Sequence, residues 1–242
     1  MAQAVIVLGR SGSGKSTSIK TLDPKSTFVI SCLGKILPFK NSNAIYNTAN
    51  KNYIKVHSDP EHRKYTWQSV RDLLININNT KHINTVVIDD ATFIMRDEYF
   101  DRTNERGYDK YTELANHFRT ILQTCSNMRD DIIVYLMLHD DNIESDGTIV
   151  GRKVATVGKL LDKMYDPLMT VNITLYCAPQ YNTEGKIQQY GFYTKECKVD
   201  GIPTPCKTPD GMFESGYIPN DLQLVNNAIF EYYGINSVNN KQ

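Results

Sequence analysis

No charge of either sign dominates this sequence. Its 27 lysines and arginines are matched by 27 aspartates and glutamates, and the formal net charge is zero. That balance excludes a protein that coats nucleic acid through bulk positive charge. It leaves room for a local basic groove, because steering depends on how charge is distributed. Long apolar runs are missing too. The longest, Ile132 to Leu138, falls far short of the roughly 20 residues that a membrane-spanning helix needs, so no membrane partner is expected. The N-terminus runs straight into a short apolar segment, which leaves no room for a cleavable leader and points to a cytoplasmic location. Cysteines are few and scattered. Cys32, Cys125, Cys177, Cys197 and Cys206 are odd in number and complete no zinc pattern, so they read as reduced thiols. Repeats and low-complexity segments are absent. What remains is ordinary for a globular chain, with 40% hydrophobic and 22% charged residues.

Against that plain background one motif stands out. Gly9-Arg10-Ser11-Gly12-Ser13-Gly14-Lys15-Ser16 fits the phosphate-binding loop G-x-x-x-x-G-K-[ST] at every fixed position. It follows Ala4-Val5-Ile6-Val7-Leu8, which reads as a buried parallel strand, and precedes Ser16 to Leu22, which can open a helix. The residue types have physical reasons. The glycines let the backbone approach phosphate oxygens closely, and successive N–H groups form an anion nest beside the positive end of a helix. Lys15 supplies a point charge for the β- and γ-phosphates, and the Ser16 hydroxyl is a magnesium ligand. Arg10, Ser11, Ser13 and Thr17 complete the expected nucleotide contacts. The cofactors implied are ATP and Mg2+.

The rest of the chain alternates strands and helices. Strands are expected at Thr27 to Ile30, Tyr53 to Val56, Val86 to Ile88, Ile132 to Leu138 and Val171 to Cys177. Residues 33 to 52 read as a long loop. Thr66 is placed to cap a helix through about Asn78. Apolar residues at 111, 114, 115, 118, 121, 122, 125 and 128 form a helical stripe whose default meaning is packing on a sheet. A polar loop is expected over 140 to 158, a short helix over 159 to 166, antiparallel additions from Tyr190 onward, and a closing helix from Asp221 to Tyr233. The order argues an α/β fold with a mostly parallel central sheet in one domain, residues 1 to 234, followed by a polar tail over 235 to 242.

A phosphate-binding loop needs an acidic partner for its metal. Thr85-Val86-Val87-Ile88-Asp89-Asp90 supplies a strand ending in two acids. Asp89 is the expected magnesium ligand, and Asp90 is placed to orient or deprotonate an attacking water. The long interval between Lys15 and Asp89 permits an extra strand between these two halves, as in RecA-like and AAA-type ATPases. His139 ends the next strand, where a polar side chain can sense the γ-phosphate. The histidines at 57, 62, 82 and 117 read as surface residues.

These landmarks, with Leu37-Pro38-Phe39, the Tyr111/Leu114/Ala115 helix, Val157-Gly158-Lys159 and Lys207-Thr208-Pro209-Asp210-Gly211-Met212-Phe213, resemble the bacteriophage RecA-core (AAA-domain) ATPases of the single-strand-annealing recombinase family. The resemblance implies a RecA-like P-loop NTPase fold, DNA-stimulated ATP hydrolysis, single-stranded DNA as partner and a homo-oligomeric ring or filament, in a host cytoplasm. It places DNA at the segments 140 to 158 and 178 to 190. Arg152, Lys153, Lys159 and Lys186 are then the phosphate contacts and Tyr181 the base-stacking residue. Asp140, Asp141, Glu144 and Asp146 make the first segment acidic and weaken it as a DNA contact. The resemblance also makes Lys207, or Lys195, a cation reaching a neighbour's γ-phosphate. Two other functions share the same loop: a nucleotide or small-molecule kinase, and an ATP-holding accessory subunit that does not turn over. A kinase needs an arginine-rich lid, and Arg152 is the only arginine in 140 to 158.

Overall fold

A computed structural model describes residues 1–62, 64–157 and 165–235. Its centre is an eight-stranded sheet in the order β12-β9-β8-β1-β5-β4-β2-β3. The strands are β1 (Gln3–Leu8), β2 (Thr27–Ser31), β3 (Tyr53–Lys55), β4 (Thr85–Asp89), β5 (Ile133–Leu138), β8 (Ile173–Tyr181), β9 (Ile187–Tyr193) and β12 (Tyr217–Pro219). From β8 across to β3 the pairings are parallel. Only β9 and β12 add antiparallel at one edge. β5 lies between β1 and β4, so the extra strand expected between the two halves of the site is there. The architecture is that of a RecA-like P-loop NTPase with antiparallel C-terminal additions.

Strand periodicity explains the layering. Alternate side chains leave opposite faces of a strand. Ile6 and Leu8 of β1 join a core with Ile88, Leu136 and the buried stripes of α2 (Thr66–Asn78) and α4 (Asp109–Ser126). Val5 and Val7 join the other core, with Val87, Tyr135, Ile19 and the buried face of α5 (Leu222–Tyr233). Helices therefore cover both faces, which is why β1, β4 and β5 are apolar almost throughout. A fully buried Val, Leu or Ile contributes about 1.5–3 kcal/mol, so this doubly covered centre is the rigid platform on which the loops at the carboxyl ends of the strands stand.

Several local features depart from the sequence reading. The helix after the phosphate loop is a short 3-10 turn, Ser16–Thr21, and Leu22 is already extended. Pro24 lies just beyond it and a helix cannot continue through proline. The segment 33 to 52 contains one helical turn, α1 (Ser42–Ile45). The N-cap of α2 is Tyr65 rather than Thr66, with the Gln68 side chain accepting from the Tyr65 N–H at 2.7 Å. α3 (Phe93–Asp101) was not expected. The expected loop over 140 to 158 is largely a hairpin, β6 (Asp140–Ser145) with β7 (Thr148–Val154). Most of 178 to 190 is likewise strand, because β8 runs on to Tyr181 and β9 begins at Ile187. β10 (Cys197–Val199) and β11 (Ile202–Thr204) form a small separate pair. The expected helix over 159 to 166 and most of the tail lie outside the described residues. No helix among the described residues is long and apolar enough to cross a membrane.

Candidate functional site

Parallel strands present their carboxyl ends on one side of the sheet, and the loops leaving β1, β2, β4 and β5 meet there. They enclose a cleft of about 330 Å³ lined by the phosphate loop, Lys35, Ile36, Pro38, Asp89, Asp90 and His139. The loop is shaped by close backbone approach. A Cβ on Gly9 would lie 2.5 Å from the Cys177 carbonyl oxygen of β8, so only glycine fits there. Gly14 has φ +104°, and the Asn220 side chain donates to its carbonyl at 3.0 Å. Neither role of Asn220 nor its position was legible in the sequence, since it lies at the far end of the chain.

Lys15 is buried, and its Nζ donates to the carbonyls of Gly9 at 2.5 Å and Arg10 at 2.9 Å. Burial lowers its pKa, with the nearby Cys177, Asp140, Asp90 and Asp89 opposing the shift. The Ser16 hydroxyl donates to Asp89 Oδ1 at 2.7 Å, which joins the turn after the phosphate loop to the end of β4. Asp89 is almost fully enclosed, and burial pushes its carboxyl up to about 6, against the Ser16 hydrogen bond and the Lys15 charge.

Asp90 has φ +56°, in the left-handed region that aspartate tolerates better than most residues. That turn aims its carboxylate back into the cleft. His139 Nε2 lies 3.3 Å from Asp90 Oδ1, and Lys35 Nζ lies 3.6 Å from Asp90 Oδ2. Burial pushes the Asp90 carboxyl up, but the His139 hydrogen bond and the Lys35 and Lys15 charges outweigh it and hold it below the ordinary carboxylate value. His139 is itself fixed: its N–H donates to the buried Thr92 hydroxyl at 2.8 Å, and its ring meets Phe93 edge-on. Lys35 was not singled out in the sequence. The signal would have been sheet order, because β2 lies directly beside β4 with Ser31 opposite Asp89.

The donor set fits a magnesium-bound triphosphate. Lys15 is a buried cation held only by carbonyls that phosphate oxygens can replace. The Ser13 hydroxyl is buried without a hydrogen-bond partner. Ser16 and Asp89 are hard oxygen ligands of the kind magnesium prefers. Thr17 and Ser11 line the same cleft. Arg10 projects away from it, with Nη1 4.0 Å from Asp200.

The remaining expected residues lie elsewhere. Arg152 is not available to DNA phosphates. Its side chain is buried, donating to Asp140 Oδ2 at 3.0 Å beside the Tyr176 ring, because β7 turns it inward against the sheet. Asp140 is equally enclosed and accepts from the Tyr176 hydroxyl at 2.8 Å, so it does not add to the surface charge of the hairpin. Lys153 follows on β7 and is half-buried. Lys159 lies outside the described residues. Tyr181 is exposed at the end of β8, and Lys186 is exposed in the following turn, 2.9 Å from Glu184. Lys207 is exposed and bridges by its backbone to Thr174 near the start of β8, away from the cleft. Lys195 is also exposed. His117 is not a free surface residue: it stacks on Trp67 at 4.1 Å and contacts the buried Glu98 at 2.8 Å.

No curated protein matches the sequence. Among solved structures the chain is similar to a KaiC-like protein from the hyperthermophilic archaeon Pyrococcus horikoshii OT3, at 10% identity and a TM-score of 0.43, over 79% of this chain and 76% of that one. Residues 1–199, which contain the phosphate loop, both aspartates and His139, match the family model described as the AAA domain, and the chain belongs to that family.

Proposed function

We propose that the protein binds and hydrolyses ATP with Mg2+ at this cleft and couples turnover to its hold on single-stranded DNA, as an annealing protein of bacteriophage recombination. The observation that carries the reading is the convergence of Lys15, Ser16, Asp89, Asp90 and His139 on one cleft at the carboxyl ends of β1, β4 and β5.

The residues divide the chemistry. Magnesium, when bound, would supply charge neutralisation on the triphosphate, and Ser16 and Asp89 would hold it. Lys15 exchanges the Gly9 and Arg10 carbonyls for phosphate oxygens. The Asp90 carboxylate, oriented by His139, accepts the proton of the attacking water, and the oxygen of that water forms the new bond to phosphorus as the bond to the ADP oxygen breaks. His139 also stands where β5 leads into the β6–β7 hairpin, a short path from the cleft to that hairpin.

On the other side of the phosphate loop, a second cleft of about 190 Å³ joins Arg10 to Ser13 with Tyr181, Ile187 and Tyr190 of the β8–β9 hairpin. These exposed aromatic faces suit unpaired bases, and stacking contributes about 1–3 kcal/mol per base. The shared loop supports coupling between nucleotide and DNA. Phosphate contacts then fall to Lys186 and Lys153, and a contact of Lys207 with a triphosphate requires a second copy of the chain in a ring or filament. Transfer to a small-molecule acceptor is less well supported, because the one arginine of the 140–158 segment is buried in an ion pair. The test is ATP turnover and DNA binding by the purified protein. Turnover raised by single-stranded DNA, with binding that weakens as salt rises, supports the reading. Turnover indifferent to DNA, with no salt-sensitive binding, overturns the DNA assignment.

A further inference from the structure

We infer that Lys35 is a second cation of the triphosphate site, one that leaves Asp90 for the terminal phosphate and so separates ATP from ADP. The inference rests on the ATP reading of the cleft and assigns a role to a residue outside the phosphate loop.

The connection after β2 is built to present this side chain. Gly34 has φ +65°, a turn that glycine adopts at no steric cost, and a Cβ there would run into the Lys55 stem. The Gly34 N–H donates to the Ser31 hydroxyl at 2.9 Å, and the Tyr53 hydroxyl donates to the Lys35 carbonyl at 3.3 Å. Two residues on, Leu37 is buried and its carbonyl accepts from the Ser42 hydroxyl at 2.8 Å. The backbone is therefore pinned on both sides of Lys35 while its side chain stays 66% exposed. A lysine stem in that setting pivots on a fixed base. Its Nζ rests 3.6 Å from Asp90 Oδ2, on the wall of the cleft that also holds Lys15.

Charge gives the direction of the exchange. A magnesium-bound triphosphate carries about one more negative charge than the diphosphate, and that charge is on the γ-phosphate. Lys15 is one cation against it. Asp89 and Asp90 oppose any anion entering the cleft, and the exposed Lys35 ammonium is placed to offset them. On reaching the terminal phosphate it frees Asp90 Oδ2, so the same movement that recognises ATP releases the carboxylate assigned to water.

Titration of ATP and of ADP, each with magnesium, into wild type, Lys35→Ala and Lys35→Arg tests this. Wild type binds both nucleotides. Lys35→Ala is expected to weaken ATP by about tenfold while changing ADP by less than about twofold, the scale of a single charge-assisted contact. Lys35→Arg, which keeps the charge, is expected to recover most of the ATP affinity. Equal weakening of both nucleotides, or none, overturns the inference and leaves the ATP reading standing. Absence of saturable ATP binding by wild type overturns the ATP reading and the role of Lys35 with it.

Discussion

At the scale of single residues, two adjacent aspartates stand in opposite environments. Asp89 is sealed and accepts a hydrogen bond from the Ser16 hydroxyl; Asp90 is turned by a left-handed backbone toward a histidine and a lysine. Their substitutions therefore have different signatures. Asp90→Asn keeps a residue that tolerates positive φ, so the fold is expected to persist with an unchanged melting temperature while kcat drops by about 10²–10⁴-fold, the usual loss of a general base. Asp89 predicts a pH effect. Burial raises its carboxyl to about 6, and magnesium needs the ionised form. Magnesium affinity, followed by calorimetry, should fall about tenfold per pH unit below that value and level off above it. In metal-free protein the sign reverses. A raised carboxyl pKa stabilises the fold below the ordinary aspartate value of about 4, and that contribution is lost as pH rises through about 6. Lys15, Ser16 and Asp89 were legible in the sequence because phosphate and magnesium chemistry dictates their types and spacing. Lys35 and Asn220 were not, because only the neighbouring of β2 with β4 brings Lys35 to the cleft, and only the return of the chain after β12 brings Asn220 to the phosphate loop.

At the scale of elements, the apolar strands and the strongly striped α2 and α4 follow from periodicity, and α3 does not. Its buried set, Ile94, Met95 and Glu98, includes a charge, which breaks the apolar pattern. Glu98 is buried because Arg102, one helical turn on, and His117 of α4 pair with it at 2.9 and 2.8 Å, and His117 is a partner that no local window reveals. The β6–β7 hairpin was hidden for a related reason: its acidic face reads as solvated loop until Asp140 is seen paired to Arg152. A similar buried polar link ties the closing helix to the sheet. The Tyr135 hydroxyl donates to Asn226 Oδ1 at 2.6 Å, and Asn226 Nδ2 donates to the Thr85 hydroxyl at 2.9 Å. Asn226→Ala removes both of these bonds, leaving Tyr135 only the Leu222 carbonyl at 3.5 Å and Thr85 the Asn84 side chain at 3.1 Å, and should cost about 1–3 kcal/mol in urea unfolding. Combining it with Tyr135→Phe should cost less than the sum of the two single changes, because the pair shares one hydrogen bond.

At the scale of the whole molecule, a doubly covered sheet presents the phosphate-loop cleft at its strand ends and places the exposed tyrosines of an antiparallel hairpin across the same loop. Tyr181→Ala is expected to weaken single-stranded DNA binding by about 1–3 kcal/mol, the contribution of one stacked base, with a matching fall in the DNA-stimulated part of turnover. Equal DNA affinity in a fluorescence titration of the two proteins would remove Tyr181 from the proposed DNA contacts. Hydrolysis at the cleft is read out by phosphate release from ATP with magnesium, wild type against Lys15→Ala. The expected result is steady turnover by the wild type and none above background by the variant, with both proteins melting at similar temperatures. Turnover that survives loss of the Lys15 ammonium, or a wild type that releases no phosphate under any DNA condition, would contradict the claim that this cleft hydrolyses ATP.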